Sequence, residues 1–171
     1  MTEILKPYSM ITDFVTGKEI PNVGAEENRQ MVEKFLVTEK GYAKSDIEVD
    51  VDLEIMVAGQ PYRSQIDLIV SADGGATRFM AFKCAAASLG SREREILAAA
   101  RLLGEKQIPL SVVSDGKTAI VLDTVSGRKL GEGLDAIPSK EQARGQVNDP
   151  DLQPFPEARR EREGLIFRTY D

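Results

Sequence analysis

From Ile47 to Val57 apolar and polar positions alternate without a break. Ile47, Val49, Val51, Leu53, Ile55 and Val57 fall on one side, and Glu48, Asp50, Asp52, Glu54 and Met56 on the other, which predicts a half-buried strand. Ala58-Gly59-Gln60-Pro61 turns the chain into a second strand, 62–70. Tyr62, Ser64, Ile66, Leu68 and Val70 share one side of it, and Arg63, Gln65, Asp67 and Ile69 the other. Asp73-Gly74-Gly75 supplies the positive φ a tight turn requires. The third strand, 77–84, puts Thr77, Phe79, Ala81 and Lys83 on one face and Arg78, Met80, Phe82 and Cys84 on the other. Together the three predict an antiparallel meander.

Helical spacing appears on both sides of it. A first helix is predicted from about Asn22–Gly24 to Lys40, with Met31, Val32, Phe35 and Leu36 as its inward stripe and Gly41 past its end. Glu26 and Glu27 occupy its first turn, where the macrodipole favours negative charge. Glu27 lies one turn before Met31 and so continues the stripe. A second helix is predicted from Ser91 to Gly104, with Glu93, Ile96, Leu97, Ala100 and Leu103 facing inward. Strands at 108–114 and 118–123 follow, joined at Asp115-Gly116, then a short one at 128–130. Residues 131–156 show no period and hold four prolines, as a linker or a wrapping arm would. Glu157–Glu163 reads as a solvated charge run and 165–170 as a short terminal strand that docks on its own domain or on a partner, a second copy included. The expected organisation is a lead-in at 1–21, an α/β domain at 22–135 and a C-terminal arm at 136–171.

Composition narrows the chemistry. A chain of 171 residues, 42% hydrophobic and 29% charged, suits a single globular domain. It contains no histidine and one cysteine, which excludes a Ser-His-Asp triad, a Cys-His pair, a zinc cluster and an internal disulfide. Carboxylates, lysine, hydroxyls or a hard cation remain. A net charge of −6 opposes a strong unaided grip on nucleic acid, although a locally basic cleft is compatible with it. No apolar run approaches a membrane span and MTEILKPYSMITDF lacks a signal-peptide core, so a cytoplasmic location without membrane contact is expected. The acidic side of the 47–57 strand reads as a solvated face, and Cys84 as a buried apolar residue. Arg92 and Arg94, with Arg101 and Lys106, offer either a phosphate-binding flank or an ordinary helix surface.

Two ionisable residues stand out in apolar surroundings: Asp67 on the second strand and Lys83 on the third. With the helix segment EENRQMVEKFLVTEKGY at 26–42, DIEVDV at 46–51, YRSQIDLIV at 62–70, RFMAFKCAA at 78–86 and VVSDGKTAIVLDT at 112–124, they make the chain resemble the PD-(D/E)xK nuclease superfamily. More narrowly, it resembles the N-terminal nuclease domain of type I restriction enzyme R subunits. The resemblance covers roughly 20–135 and contains no helicase or translocase motif. It implies a restriction-endonuclease-like core of helix, three-strand meander, helix and two further strands. It also implies a Mg²⁺-dependent DNA endonuclease-type site, with Asp67 holding the metal and Lys83 orienting the attacking water. The glutamate expected two residues before the lysine is Ala81, and the family's QxxxY helix signature is absent from SREREILAAARLL.

Three readings follow from that alanine. In the first, Glu93 or Glu27 supplies the missing metal-binding carboxylate. In the second, catalysis is lost and the fold binds DNA or protein. In the third, Asp67 and Lys83 form only a cross-strand ion pair.

Overall fold

The computed structural model describes residues 8–75, 77–146 and 152–171. Residues 1–7 of the expected lead-in and 147–151 of the expected linker lie outside them. A short hairpin, β1 (Met10–Thr12) and β2 (Glu19–Pro21), precedes helix α1 (Glu26–Thr38). Then come β3 (Ile47–Val57), β4 (Gln60–Ser71), β5 (Arg78–Cys84), α2 (Glu93–Leu102), β6 (Leu110–Ser114), β7 (Ala119–Asp123), β8 (Lys129–Glu132), α3 (Lys140–Arg144) and α4 (Glu157–Tyr170). Strands β3 to β8 form one six-stranded sheet in chain order. Every neighbouring pair is antiparallel except β5 and β6, which run parallel because α2 carries the chain back across the sheet. The predicted meander is present, and the 47–57 strand has the bounds its alternation predicts.

The sheet has a helical layer on each face. One apolar cluster joins Val32 and Leu36 of α1 to Leu68, Val70, Met80, Phe82, Val112 and Val121, with Ile137 and Ala143 closing its far side. The other joins Ile96, Ala98, Ala99 and Leu102 of α2 and Phe167 of α4 to Ile69, Ala81 and Val113. The β3–β4 hairpin serves both. Ile47 belongs to the first cluster, whereas Leu53, Ile55 and Val57 belong to the second, although all have the same parity. The change falls around Asp50, whose φ of 53° is left-handed and rotates the strand that follows it. On β4 the same change falls at Asp67, between Ile66 in the second cluster and Leu68 in the first.

Helix α1 departs from its predicted orientation. Met31 is 40% exposed, packed beside the β6–β7 turn, where Gly116 at φ 84° leaves no room for a Cβ. Arg29, Gln30 and Glu33 are buried instead. The helix is covered twice, by the sheet and by the lead-in, and its second buried face is polar. Gln30 accepts a hydrogen bond from the Phe14 amide at 2.7 Å and donates to Asp13 at 2.8 Å, while Glu33 accepts from the Val15 amide at 3.0 Å.

Residues 131–146 and 152–171 also hold more regular structure than their composition implies. Tyr42 donates to the Pro138 carbonyl at 2.9 Å and Lys140 pairs with the buried Asp46 at 2.8 Å, anchoring α3 beside the end of α1. Residues 165–170 are helical, not a strand, because the residues α4 buries, Glu163, Gly164 and Phe167, are spaced for one face of a helix. Gly164 lets α4 lie 3.4–3.5 Å from Ile55 and Val57 at the position a Cβ would take. Glu163 is not part of a solvated run: it pairs with the equally buried Arg101 at 2.9 Å. The arm thus docks on its own domain.

Burial and the adjacent Asp13 push the Glu33 carboxyl up to about 8. A carboxyl raised on folding binds a proton that the unfolded chain has released, so stability falls as pH rises from about 4.5 to about 8. Chemical denaturation at pH 6 and pH 9 should show native protein losing about 2–3 kcal/mol relative to Glu33→Gln, which keeps the hydrogen-bonding shape without titrating. Equal pH dependence in the two proteins would refute this.

Candidate functional site

The carboxyl ends of the parallel strands β5 and β6 meet the N-terminal turns of α1 and α2. Open α/β sheets commonly place their functional clefts there, because chain reversals leave the strand ends uncovered. Lys83 lies at the end of β5. Asp67 stands one step along the register beyond the Leu68–Phe82 pair, so the two side chains lie across neighbouring strands. Lys83 Nζ is 3.9 Å from Asp67 Oδ2, and the same oxygen accepts the Cys84 amide at 2.7 Å. Ala25, Glu26 and Arg29 of the α1 end complete a cleft of about 180 Å³ with Asp67, Lys83 and Cys84.

The fold brings Asp67 and Lys83 together and leaves Glu27 and Glu93 outside the cluster. Glu27 accepts from Asn22 at 2.9 Å on the exposed side of α1. Glu93 lies over Gly90, with Oε2 3.7 Å from where a Cβ would stand. Their neighbours take the positions expected of them. Glu26 lines the cleft, and Glu95 reaches Lys83 at 3.3 Å while also pairing with Arg92 at 3.5 Å. For α2 the reason is plain: every residue from Glu95 to Leu102 is buried between the sheet and α4, so no exposed stripe fixes the helix's rotation. The Arg92-x-x-Glu95 spacing is the sequence signal for Glu95, since residues three apart are neighbours on a helix.

Arg29 is the residue that the hydrophobic pattern hides. Its guanidinium, 3% exposed, stands 2.6 Å from Asp50, 2.8 Å from Glu26, 3.7 Å from Glu33 and 3.9 Å from Asp13. One buried cation therefore gathers carboxylates from the lead-in, from α1 and from the left-handed position of β3.

The local charges shift accordingly. Burial pushes the Asp67 carboxyl up, against the pull of Lys83 and the Cys84 amide. Burial likewise raises Glu26 and Glu95, the first against Arg29 and the second against Lys83. Burial alone would lower Lys83, but Asp67 and Glu95 outweigh it and hold the ammonium protonated above its ordinary range. Such a lysine is a fixed cation, not a base. Cys84 is fully enclosed and its thiol is pushed well up, which makes it an apolar core residue.

This donor set does not fit Mg²⁺. That ion requires near-octahedral oxygen ligands at about 2.1 Å. Each carboxylate here already faces a protein cation: Asp67 faces Lys83, Glu95 faces Lys83 and Arg92, and Glu26 and Asp50 face Arg29. Among the described residues no three Asp, Glu, Cys or His side chains converge so as to hold a metal. Ala81 is fully buried in the α2-side cluster and offers no ligand.

The family model described as Type I restriction enzyme R protein N terminus (HSDR_N) matches residues 24–138, the greater part of the chain. Both β1–β2 and α4 fall outside the match. No curated protein and no solved structure matches the chain. No helix among the described residues is long and apolar enough to cross a membrane.

Replacing Arg29 tests how far the cluster depends on its cation. Arg29→Met preserves much of the buried volume but leaves Asp13, Glu26 and Asp50 without a counter-charge. Removing one partner of a buried ion pair costs about 3–5 kcal/mol. Denaturant unfolding should show a loss of that order, whereas a change below about 1 kcal/mol would mean that solvent already screens the cluster.

Proposed function

We propose that this chain, which belongs to the family of type I restriction enzyme R protein N termini, is a restriction-endonuclease-like module of the PD-(D/E)xK kind that binds DNA without cutting it. Three features support the lineage: the order of helix, antiparallel meander, crossover helix and parallel strand, the Asp67–Lys83 pair across β4 and β5, and the restriction-enzyme family itself. The observation that carries the loss of catalysis is Lys83. Its ammonium is bracketed by Asp67 and Glu95, and the motif position beside it, Ala81, is closed beneath α2.

In a metal-dependent hydrolase the carboxylates bind the cation and leave the lysine to act on water or on the developing phosphorane charge. In this chain Lys83 and Arg29 stand against the carboxylates that such a cation would use, so each of them already has a protein partner. The centre then serves as a rigid seam between the sheet and the two helix ends. A cytoplasmic location, with the DNA it binds, goes with this reading.

The 3.3 Å contact between Glu95 and Lys83 favours one competitor, an active centre with Glu95 as the displaced carboxylate. Against it stands the burial of Glu95, at 3% exposure, and its engagement by two cations.

Calorimetry with Mg²⁺ and Mn²⁺, together with nicking of supercoiled plasmid, separates the two. We expect no metal binding tighter than millimolar and no metal-dependent nicking, with native protein and Lys83→Ala alike. Mn²⁺-dependent nicking that disappears in Lys83→Ala and Glu95→Gln would establish the active centre and overturn the proposal.

A further inference from the structure

Strand β3 closes one end of the sheet and has a neighbouring strand, β4, on one side only. Among the described residues, no main-chain hydrogen bond outside the β3–β4 ladder involves residues 47–57. The hairpin turn decides which of the main-chain groups face outward. Ala58 at φ 51° and Gly59 at φ 76° make a two-residue turn of type I′, which places Val57 and Gln60 in a hydrogen-bonded pair. Counting back by two, Ile55, Leu53 and Val51 also direct their amides and carbonyls to β4. Those of Met56, Glu54 and Asp52 point away from the sheet. The left-handed Asp50 ends this straight stretch.

A groove runs beside this edge. Between residues 54–56 and the start of α4 lies an open space of about 530 Å³, with Ile55, Met56 and Leu102 as its apolar lining. Met56 is 58% exposed. The rim is acidic: Glu54, Glu157 and Glu161 stand on it, and Arg160 is the one cation among the lining residues. Arg160 is engaged already, donating to the Leu102 carbonyl at 3.1 Å and standing 3.9 Å from Glu157. On the open face of the hairpin Glu54 meets Arg63 at 3.1 Å and Asp52 accepts from Gln65 at 3.1 Å. Exposed pairs of that kind contribute little and yield to a competing partner. A free strand edge beside a helix is a setting in which an extended peptide adds as a further strand. Its main chain supplies affinity and its alternate side chains supply specificity.

We propose that the edge of β3 over 51–57, with the groove beside it, takes up an extended segment of a partner protein in which basic and apolar residues alternate. The segment's main chain pairs with the outward amides and carbonyls of Asp52, Glu54 and Met56. Its lysines or arginines meet Asp52 and Glu54 on the open face. Its apolar side chains lie on the α4 side against Ile55 and Leu102, where Glu157 and Glu161 favour a positively charged strand. The charges decide the occupant. A second copy pairing through the same edge would set Asp52 and Glu54 against their own equivalents, and like charges across strands are destabilising. A phosphate backbone would meet the same carboxylates. Acids on a strand edge thus bar self-association and admit a basic strand. Docking of this kind goes beyond the DNA-binding reading and does not depend on it.

Fluorescence anisotropy of a labelled peptide of alternating lysine and valine, titrated with the full chain at low salt, tests this. The peptide should bind about tenfold more tightly than a counterpart of alternating glutamate and valine. It should exceed by a similar factor a lysine peptide with proline in place of valine, which keeps the charge but loses alternate N–H donors. Glu54→Lys should weaken binding about tenfold and Glu161→Lys about threefold. Hydrogen exchange followed by NMR gives the direct readout: the amides of Asp52, Glu54 and Met56 exchange freely in the protein alone and become protected by bound peptide. If circular dichroism shows that Glu54→Lys does not fold, Glu161→Lys and the proline peptide decide the matter from outside the strand. Failure of the lysine–valine peptide to bind would overturn the proposal. So would equal binding of the acidic or the proline peptide, or binding that leaves the three amides unprotected. Protection of those amides in a dimer of the protein alone would assign the edge to a second copy, and protection by a duplex oligonucleotide would assign it to nucleic acid; either would overturn the basic segment as occupant.

Discussion

Arg29 is the constraint on which the arrangement of this protein depends. A guanidinium cannot lose its proton, so once buried it must be surrounded by acceptors. It hydrogen-bonds Asp50 on β3 and pairs with Glu26 at 2.8 Å. Glu33 on its own helix and Asp13 in the lead-in stand at 3.7 and 3.9 Å, and the Arg29 Nε has no hydrogen-bond partner. That requirement fixes the rotation of α1, turns Met31 outward and gives the β1–β2 hairpin a polar surface to dock on. Asp13 and Glu33 lie close together, and the two carboxyls respond in opposite directions. Burial and Asp13 raise Glu33, while hydrogen bonds that include Glu33, Gln30 and Thr16 hold Asp13 below its ordinary range against burial. One proton held between them keeps the acidic excess around Arg29 tolerable.

Asp50 links this charge cluster to the fold of the sheet. A non-glycine residue in the left-handed region costs about 1–2 kcal/mol, and Asp is among the few that visit it readily. The 2.6 Å pair with Arg29 offsets that cost. In return the β3–β4 hairpin presents its apolar residues first to the α1 layer and then to the α2–α4 layer. The polar seam between the two clusters is where Asp50 and Asp67 stand. The site is the place where a single hairpin passes from one core to the other, and charged groups collect there because neither core can bury it.

Alternation and turn chemistry make the meander legible from residues alone, down to the bounds of β3, and they place Asp67 and Lys83 across from each other. What they leave hidden has definite causes. Parity assumes that a strand keeps one face, and the left-handed Asp50 breaks that assumption without leaving a glycine to announce it. Helical stripes assume one buried side, yet α1 has a second, polar one and α2 is buried nearly all round, so Glu26 and Glu95 stand where Glu27 and Glu93 are expected. The EARRERE run conceals that Glu163 is a buried partner of Arg101 and that Gly164 and Phe167 continue its face. In each case a charge has an interior partner far away in sequence, which local periodicity cannot register.

Ala81 can be understood in the same terms. It shares one cluster with Ala98, Ala99 and Ala100 of α2, and small side chains on both surfaces let the helix lie close to the sheet. That closeness is what carries Glu95 to 3.3 Å from Lys83. A glutamate at position 81 would have to be buried there, at a cost of several kcal/mol unless paired, or else push α2 outward. The second outcome withdraws Glu95 from the lysine. Glu95 and a glutamate that displaced α2 would therefore be alternatives for the same cation. The consequence reaches α4 as well, since α4 rests on α2 and its last residues are held by Arg92, on the turn before Glu95. An alanine in the middle of β5 thus bears on where the final helix of the chain can sit.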